Sequence, residues 1–577
     1  MKLRISFLVS ASALMLAACQ TTSDGLANGL VIADVEDEGV SSYGAFLAGR
    51  FAGTARDADS AADYYATAWE LEPDSAILAE RSFLSAVLSG HEAAAIEAAR
   101  VSALAGDETR LARLFLAADA LAARRYDDAS AWLDADQLGP FNTFLAELMS
   151  DWARAGSGDM EGALARARSA SVPGYAAAFL TLHRALLADY AGDATNADAA
   201  YQAAISESPF TRVAVALYGD FLLRQRRRDD AITLYDQYLR QNPIERSITE
   251  ARRIAAETRR MPRRMTVSEA AARAVFGPSA ALASQADIDL SVVYLRLTTR
   301  LDPDYAPAVI LLAGALENTG LTDAAIEAYN TVPEGPFRLP ADIDRIWLRA
   351  TQGDVDTALA EARELSEESG AVEAQLVYAD LLRSSGQYTL AAELYTRALE
   401  AREAQGLVPD WRYYYFRAIC YEQSERWALA EADFQSALAI SPNEAEVLNY
   451  LGYMWVIRGE NIAEAFDMIE RAAAIAPDQG HIIDSLGWAH YVRGNYALAV
   501  QHLERAVELS PEAPTINYHL GDAYWQVGRQ LEARFQWERA LGLDPDEDER
   551  AGLMARLAGD APDLPDMRVA DAAIETP

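Results

Sequence analysis

Large, small and ring-breaking residues return at fixed intervals through the last hundred positions of the chain. Leu486 and Leu520, and likewise Leu503 and Trp537, lie 34 residues apart. Gly487 and Gly521, Ala499 and Ala533, and Ala506 and Ala540 keep the same interval, as do Pro477, Pro511 and Pro545. Within one period Ile483, Leu486 and His490 share a helix face. The glycines and alanines stand where two helices must approach to roughly 8–10 Å. Proline, which lacks a backbone N–H, closes one unit and opens the next. A period of this size predicts a solenoid of helical hairpins.

The same offsets extend upstream. Ala61, Tyr65 and Ala68 precede Pro73, and Ala197, Tyr201 and Ala204 precede Pro209, which lies four periods later. Ala231, Tyr235 and Tyr238 precede Pro243, while Ala430, Phe434 and Ala437 precede Pro442. The segments DSLGWAHYVRGNYALAVQHLERAVELSP and YHLGDAYWQVGRQLEARFQWERALGLDP resemble the tetratricopeptide repeat (TPR). The resemblance implies an all-α fold, a right-handed superhelix of about fourteen hairpins running from near residue 40 to near residue 545. Each unit then buries its apolar face only against its neighbours. The expected layout is an N-terminal array (41–243), an arginine-rich insertion (244–269), a degenerate middle array (270–405) and a C-terminal array (406–545). A polar capping helix (546–558) and a disordered tail (559–577) complete it.

The first eighteen residues have another role. Lys2 and Arg4 precede an apolar run from Ile5 to Leu16, the pattern of a signal peptide. Leu16-Ala17-Ala18-Cys19 resembles a bacterial lipobox, which implies acylation of Cys19 as the mature N-terminus. Gln20 after the cysteine implies forwarding to the outer membrane, with the protein facing the periplasm. Residues 19–40 are expected to form an acidic tether. Cys420 is the other cysteine of the chain and is expected to be a buried small hydrophobe.

Charge narrows the function. Losing Lys2 and Arg4 with the leader leaves 48 arginines against 87 acids, a formal charge of −39, and no lysine. Lysine-based Schiff-base, phosphate-loop and general-base chemistry are thereby excluded, and nucleic-acid binding lacks the basic face it needs. One island is basic: Arg252, Arg253, Arg259, Arg260, Arg263 and Arg264, with a helix expected over 248–261 and stopped by Pro262. It suits docking of an acidic partner or of anionic head groups. A spacer paired to the acids around it fits as well and is favoured.

In TPR arrays the first helices of successive repeats line the concave surface. Asp484, Trp488 and Tyr491 share one helix face, and Tyr518, Asp522 and Trp525 repeat that spacing one period later. Asn449 and Tyr453 occupy matching places in the preceding repeat, and Tyr415 extends the row. Exposed rings beside Asp and Asn suit an extended peptide or protein segment. Aromatic residues at helical spacing are more often core, so packing between neighbouring repeats is the favoured reading.

No GxSxG, HExxH, CxxC or glycine-rich phosphate loop is present. The four histidines between 481 and 519 project from different faces, so no metal, cofactor or small-molecule substrate is expected. No stretch free of repeats is long enough for a catalytic domain. The layout is similar to Gram-negative TPR lipoproteins that bind a C-terminal-processing protease and deliver cell-wall hydrolases to it. The alternative is a scaffold for outer-membrane protein assembly or polysaccharide export. The oligomeric state is not readable from the residues.

Overall fold

A computed structural model describes residues 40–560 and 562, apart from 106–110, 134–138, 173, 175, 208–210, 284–287, 405 and 407. The leader, Cys19, the tether up to residue 39, Pro209 and the tail from residue 563 lie outside the described residues. The described residues form two compact units, divided between Glu361 and Ala362. Among the described residues there are thirty helices and no strand: fourteen successive helix pairs and two single helices. This is an all-α solenoid of TPR type.

Unit 1 opens with six hairpins: α1–α2 (Ser42–Thr54, Ala58–Leu71), α3–α4 (Ala76–Ser89, Glu92–Ala105), α5–α6 (Leu111–Ala122, Tyr126–Leu133), α7–α8 (Gly139–Ser157, Met160–Ser169), α9–α10 (Ala176–Ala191, Ala194–Glu207) and α11–α12 (Thr211–Arg224, Arg228–Gln241). A single helix follows, α13 (Arg246–Glu257), and then α14–α15 (Val267–Ala283, Ile288–Leu301), α16–α17 (Ala306–Asn318, Thr322–Asn330) and α18–α19 (Arg338–Thr351, Val355–Ser369). The division between units falls inside α19. Unit 2 continues with α20–α21 (Val372–Ser384, Tyr388–Ala404), α22–α23 (Trp411–Gln423, Trp427–Ile440), α24–α25 (Ala445–Arg458, Ile462–Ile475), α26–α27 (Gly480–Val492, Tyr496–Leu509), α28–α29 (Pro514–Gln526, Gln530–Leu541) and α30 (Glu547–Ala558).

Local chemistry sets the ends. Asp57, Ser75, Asp410 and Asp546 cap their helices by accepting a hydrogen bond from a first-turn N–H. Gly90 and Gly459 end α3 and α24 in the left-handed conformation, at φ 92° and 69°. The periodic glycines sit where hairpin arms touch. A Cβ on Gly487 would lie 2.6 Å from Leu503 Cγ, and one on Gly521 would enter the Trp537 ring. Ala499, Ala506, Ala533 and Ala540 are fully buried beside them.

Unit 1 departs from a plain array. The sequence predicts 270–405 as one run of degenerate repeats; α14–α15 packs on α16 as one repeat packs on the next, and it also folds onto the opening hairpins. α14 packs against α5, α7 and α9, and α15 against α3 and α5. Four of the six first helices of the opening hairpins, α3, α5, α7 and α9, are thus packed against the chain's own later helices. The pair is held there by mixed contacts. The Arg300 guanidinium bonds Asp119 and Glu92, Tyr294 Oη donates to Asn142 Oδ1 at 2.6 Å, and Arg56 Nη1 pairs with Asp289 Oδ1 at 3.0 Å. α14 is buried on nearly every side, which its run Ala270–Phe276 explains: little on it is polar enough to face water.

The helix expected over 248–261 is observed over Arg246–Glu257, four residues short of the expected stop. Arg228 of α12 takes the carbonyls of Ala255 and Thr258, which closes the helix before Pro262. α13 packs on α12 and α11, in the place a further first helix would take. Among the described residues, no helix is long and apolar enough to cross a membrane.

Candidate partner-binding face of the C-terminal repeats

The first helices of unit 2, α22, α24, α26 and α28, lie side by side, and α30 takes the next place after α28. Their mutual contacts recur at an offset of 34 or 35 residues. His481 Nε2 meets Glu446 Oε2 at 3.2 Å, and His519 Nδ1 meets both oxygens of Asp484 at 2.9 and 3.0 Å. Gln526 Nε2 donates to Tyr491 Oη at 3.2 Å, and Arg556 Nε to Asp522 Oδ1 at 3.4 Å. Asp522 also accepts the indole N–H of Trp537 at 3.0 Å. Each repeat therefore hands polar groups to the next through the very face that carries the aromatic row.

This places the nine candidate residues. Tyr415, Asn449, Asp484, Tyr491 and Asp522 are buried, Tyr491 to 1% exposure. They pack between neighbouring repeats, the second of the two readings the sequence offered, because the neighbouring first helix covers their face. Tyr415 packs in a ring cluster with Trp411, Phe416, Phe434 and Tyr450. Tyr453, Trp488, Tyr518 and Trp525 are half-buried and keep an edge toward solvent. Trp488 stacks on Tyr491, centroids 4.6 Å apart and planes 9° apart, and on His519 at 4.1 Å and 20°. Trp525 leans on Trp537 at 5.6 Å.

The buried charges respond to one another. Burial alone pulls His519 down, but the Asp484 carboxylate and its hydrogen bond, with Asp522 and Glu549 beyond, hold its pKa above the ordinary value. Burial pushes Asp522 up, against the pull of Arg556. Sequence reasoning missed His519, Trp537 and Arg556 as members of this network. The available signal was their spacing, since each follows its partner by 15 to 35 residues and so faces it across an arm or a repeat. Given this packing, Trp488→Ala is expected to cost about 2 kcal/mol, roughly half the value for a fully buried tryptophan. A lowered melting midpoint checks it; an unchanged midpoint would mean that the ring packs on nothing.

A tetratricopeptide repeat family model matches residues 182–243, 343–406, 379–445 and 485–548. These segments are tetratricopeptide repeats. The TPR segments fall in both units, and the last two hold Tyr415, Trp488, Tyr491, Tyr518, Asp522 and Trp525 of the aromatic row, while Asn449, Tyr453 and Asp484 lie between them. No curated protein matches the chain. Among solved structures, the chain is similar to the APC/C hetero-tetramer Cut9–Hcn1 at 15% identity, over 90% of this chain and 96% of that one, with a TM-score of 0.37. It is also similar to a tetratricopeptide repeat protein from Parabacteroides merdae (15% identity, 44% of this chain, 99% of that one, TM-score 0.37). Pseudomonas aeruginosa pilF matches at 19% identity over 33% of this chain and 84% of that one, with a TM-score of 0.29.

The remaining candidates are placed as follows. Arg252 pairs with Asp236, Arg253 with Glu250 and Glu257, and Arg263 with Glu269, whose carboxyl is drawn down to about 2 chiefly by its bond to Arg263. Arg259, Arg260 and Arg264 stay exposed. The basic segment is thus half spacer and half open cation. Cys420 is buried, and burial pushes its thiol up to about 12. The histidines engage separately: His490 stacks on His502 at 5.2 Å, while His481 and His519 serve different carboxylates. No group of three or more His, Cys, Asp and Glu able to hold a metal occurs among the described residues.

Proposed function

We propose that this protein is a membrane-anchored scaffold of the bacterial cell envelope, held at the outer membrane through lipidated Cys19. It faces the periplasm and holds protein or peptide partners on its second unit. The observation that carries the binding role is the set of solvent-facing edges of Tyr453, Trp488, Tyr518 and Trp525 on three successive first helices, the last three of these rings within a TPR segment. Half-buried rings on a rigid face supply apolar contact at little entropic cost. The Leu16-Ala17-Ala18-Cys19 run supports the anchor. The specific reading is an adaptor that brings a periplasmic protease to a cell-wall enzyme.

A crosslinking pulldown from detergent-solubilised envelopes tests the role. Recovery of a periplasmic protease supports the adaptor, and recovery of only a β-barrel or export complex replaces it with an assembly scaffold. The anchor has its own test: a Cys19→Ala protein that still sediments with membranes after a salt wash would overturn it.

A further inference from the structure

We propose that unit 1 has a second binding site, a cleft that takes a bulky apolar side chain flanked by a carboxylate on a partner's peptide segment. It is separate from the aromatic row and does not depend on lipidation. The helices α14 and α15 occupy the face formed by the first helices α3, α5, α7 and α9, but they leave its beginning open. There, between the end of α1, α2, α3 and the start of α15, lies a cleft of about 420 Å³. That volume falls within the range of ~300–1,000 Å³ usual for ligand sites. Its apolar wall is made by Leu84, Leu88, Val293 and Leu321, and Tyr65 and Arg81 line it as well.

Two features say what would fill it. The first is continuity with an interface already present. On α3, Ile77, Arg81, Leu84 and Leu88 share one face, and α15 is seated along the same side of the unit. Ile77 is 67% exposed, so the apolar line runs on past the end of the part that α15 covers. A line longer than one side chain suits a peptide segment better than a compact small molecule.

The second is the charge at the rim. Arg56 is already paired with Asp289. The Arg81 guanidinium and the Tyr65 hydroxyl make no hydrogen bond or ion pair among the described residues. They are solvent-accessible donors without a protein partner beside an apolar wall, Arg81 on an exposed position and Tyr65 half-buried. A carboxylate next to the inserted side chain would complete them, and charge-assisted bonds of this kind are the stronger ones. α15 itself is held in the same way, with apolar Val293 and Leu297 inserted and an Arg–carboxylate pair beside them.

The structure supplies a clean blocking variant. Gly53 lines the cleft with a Cβ direction that meets nothing within 4 Å. Gly53→Leu therefore adds an apolar side chain at the cleft lining with no clash at its Cβ, and replaces glycine by a better helix former. The probe is a phage-displayed library of random heptapeptides, selected on the mature full chain and counter-selected on Gly53→Leu. The expected result is enrichment of sequences that place Leu, Ile or Phe next to Asp or Glu. The best such peptide, fluorescein-labelled, should lose at least tenfold in affinity with Gly53→Leu while the melting curve stays intact. With Arg81→Ala it should lose about five- to tenfold, and its Gln-substituted version should bind both proteins alike. Failure to enrich any sequence, or equal binding to Gly53→Leu, overturns the proposal. Laurate binding that Gly53→Leu abolishes, with no peptide enriched, would overturn it in favour of a fatty-acid cleft.

Discussion

Trp537→Ala is expected to unravel the last hairpin of unit 2, at a cost of about 3–5 kcal/mol. Trp537 is fully buried and faces Gly521, so the crossing of α28 and α29 is shaped around its ring. Alanine would leave a cavity at that crossing. It would also strip Asp522, a buried carboxylate, of its indole N–H donor and leave Arg556 as its remaining bonded partner. Because a solenoid is stabilised by nearest neighbours, the damage should stay local. Amide exchange in 514–558 should accelerate by orders of magnitude while 411–475 keeps its protection. Trp537→Phe keeps most of the ring volume and loses only the N–H, so a cost of about 1–2 kcal/mol is expected. Exchange that rises equally across the whole unit would refute local unravelling. Unchanged exchange would show that the ring does not hold the hairpin.

The architecture was legible because solenoid packing writes itself into the sequence at a fixed interval. Gly487 and Gly521 can only be glycine where Leu503 and Trp537 press on them, and Ala499, Ala506, Ala533 and Ala540 fill places too small for more. Six opening hairpins, seven later ones and a polar final helix follow from that rule. The path of α14 and α15 did not. Helical periodicity reports that a face is apolar and is silent about which surface covers it. A hint existed in the Ala270–Phe276 run, apolar almost all round, which suits a helix enclosed on every side better than a repeat with a solvent face.

The exposure of the aromatic row was not legible for a related reason. Asp484, Trp488 and Tyr491 do share a face, but on a helix the faces toward solvent and toward the next repeat lie less than a quarter-turn apart. A spacing of i, i+4, i+7 spans both. What separates them is the next repeat: His519, 35 residues after Asp484, brings a complementary charge to that face. The arginine-rich segment shows the same limit, since ion pairing with Asp236, Glu250, Glu257 and Glu269 uses some of its members and leaves others free.

The His519–Asp484 pair makes the stability of the last repeats depend on pH in a definite direction. Its folded-state pKa lies above the ordinary histidine value near 6.5. The native state therefore binds the proton more tightly than the unfolded chain does. The contribution is fully present below about pH 6.5 and is lost as pH rises through the folded-state value. Asp484, Asp522 and Glu549 all favour the imidazolium charge, as does the face of the Trp488 indole stacked on the ring. The raw pH curve will not show this alone. His490 and His502 are held down by burial and lose stability as pH falls, while the raised Asp522 gains it. The diagnostic quantity is the difference in urea midpoint between the parent protein and His519→Gln. It should be largest near pH 6 and shrink toward pH 8.5, and Asp484→Asn should abolish the same trend. A difference that stays flat or grows with pH would mean that His519 is neutral in the fold, and the link between the last two first helices would then be an ordinary hydrogen bond.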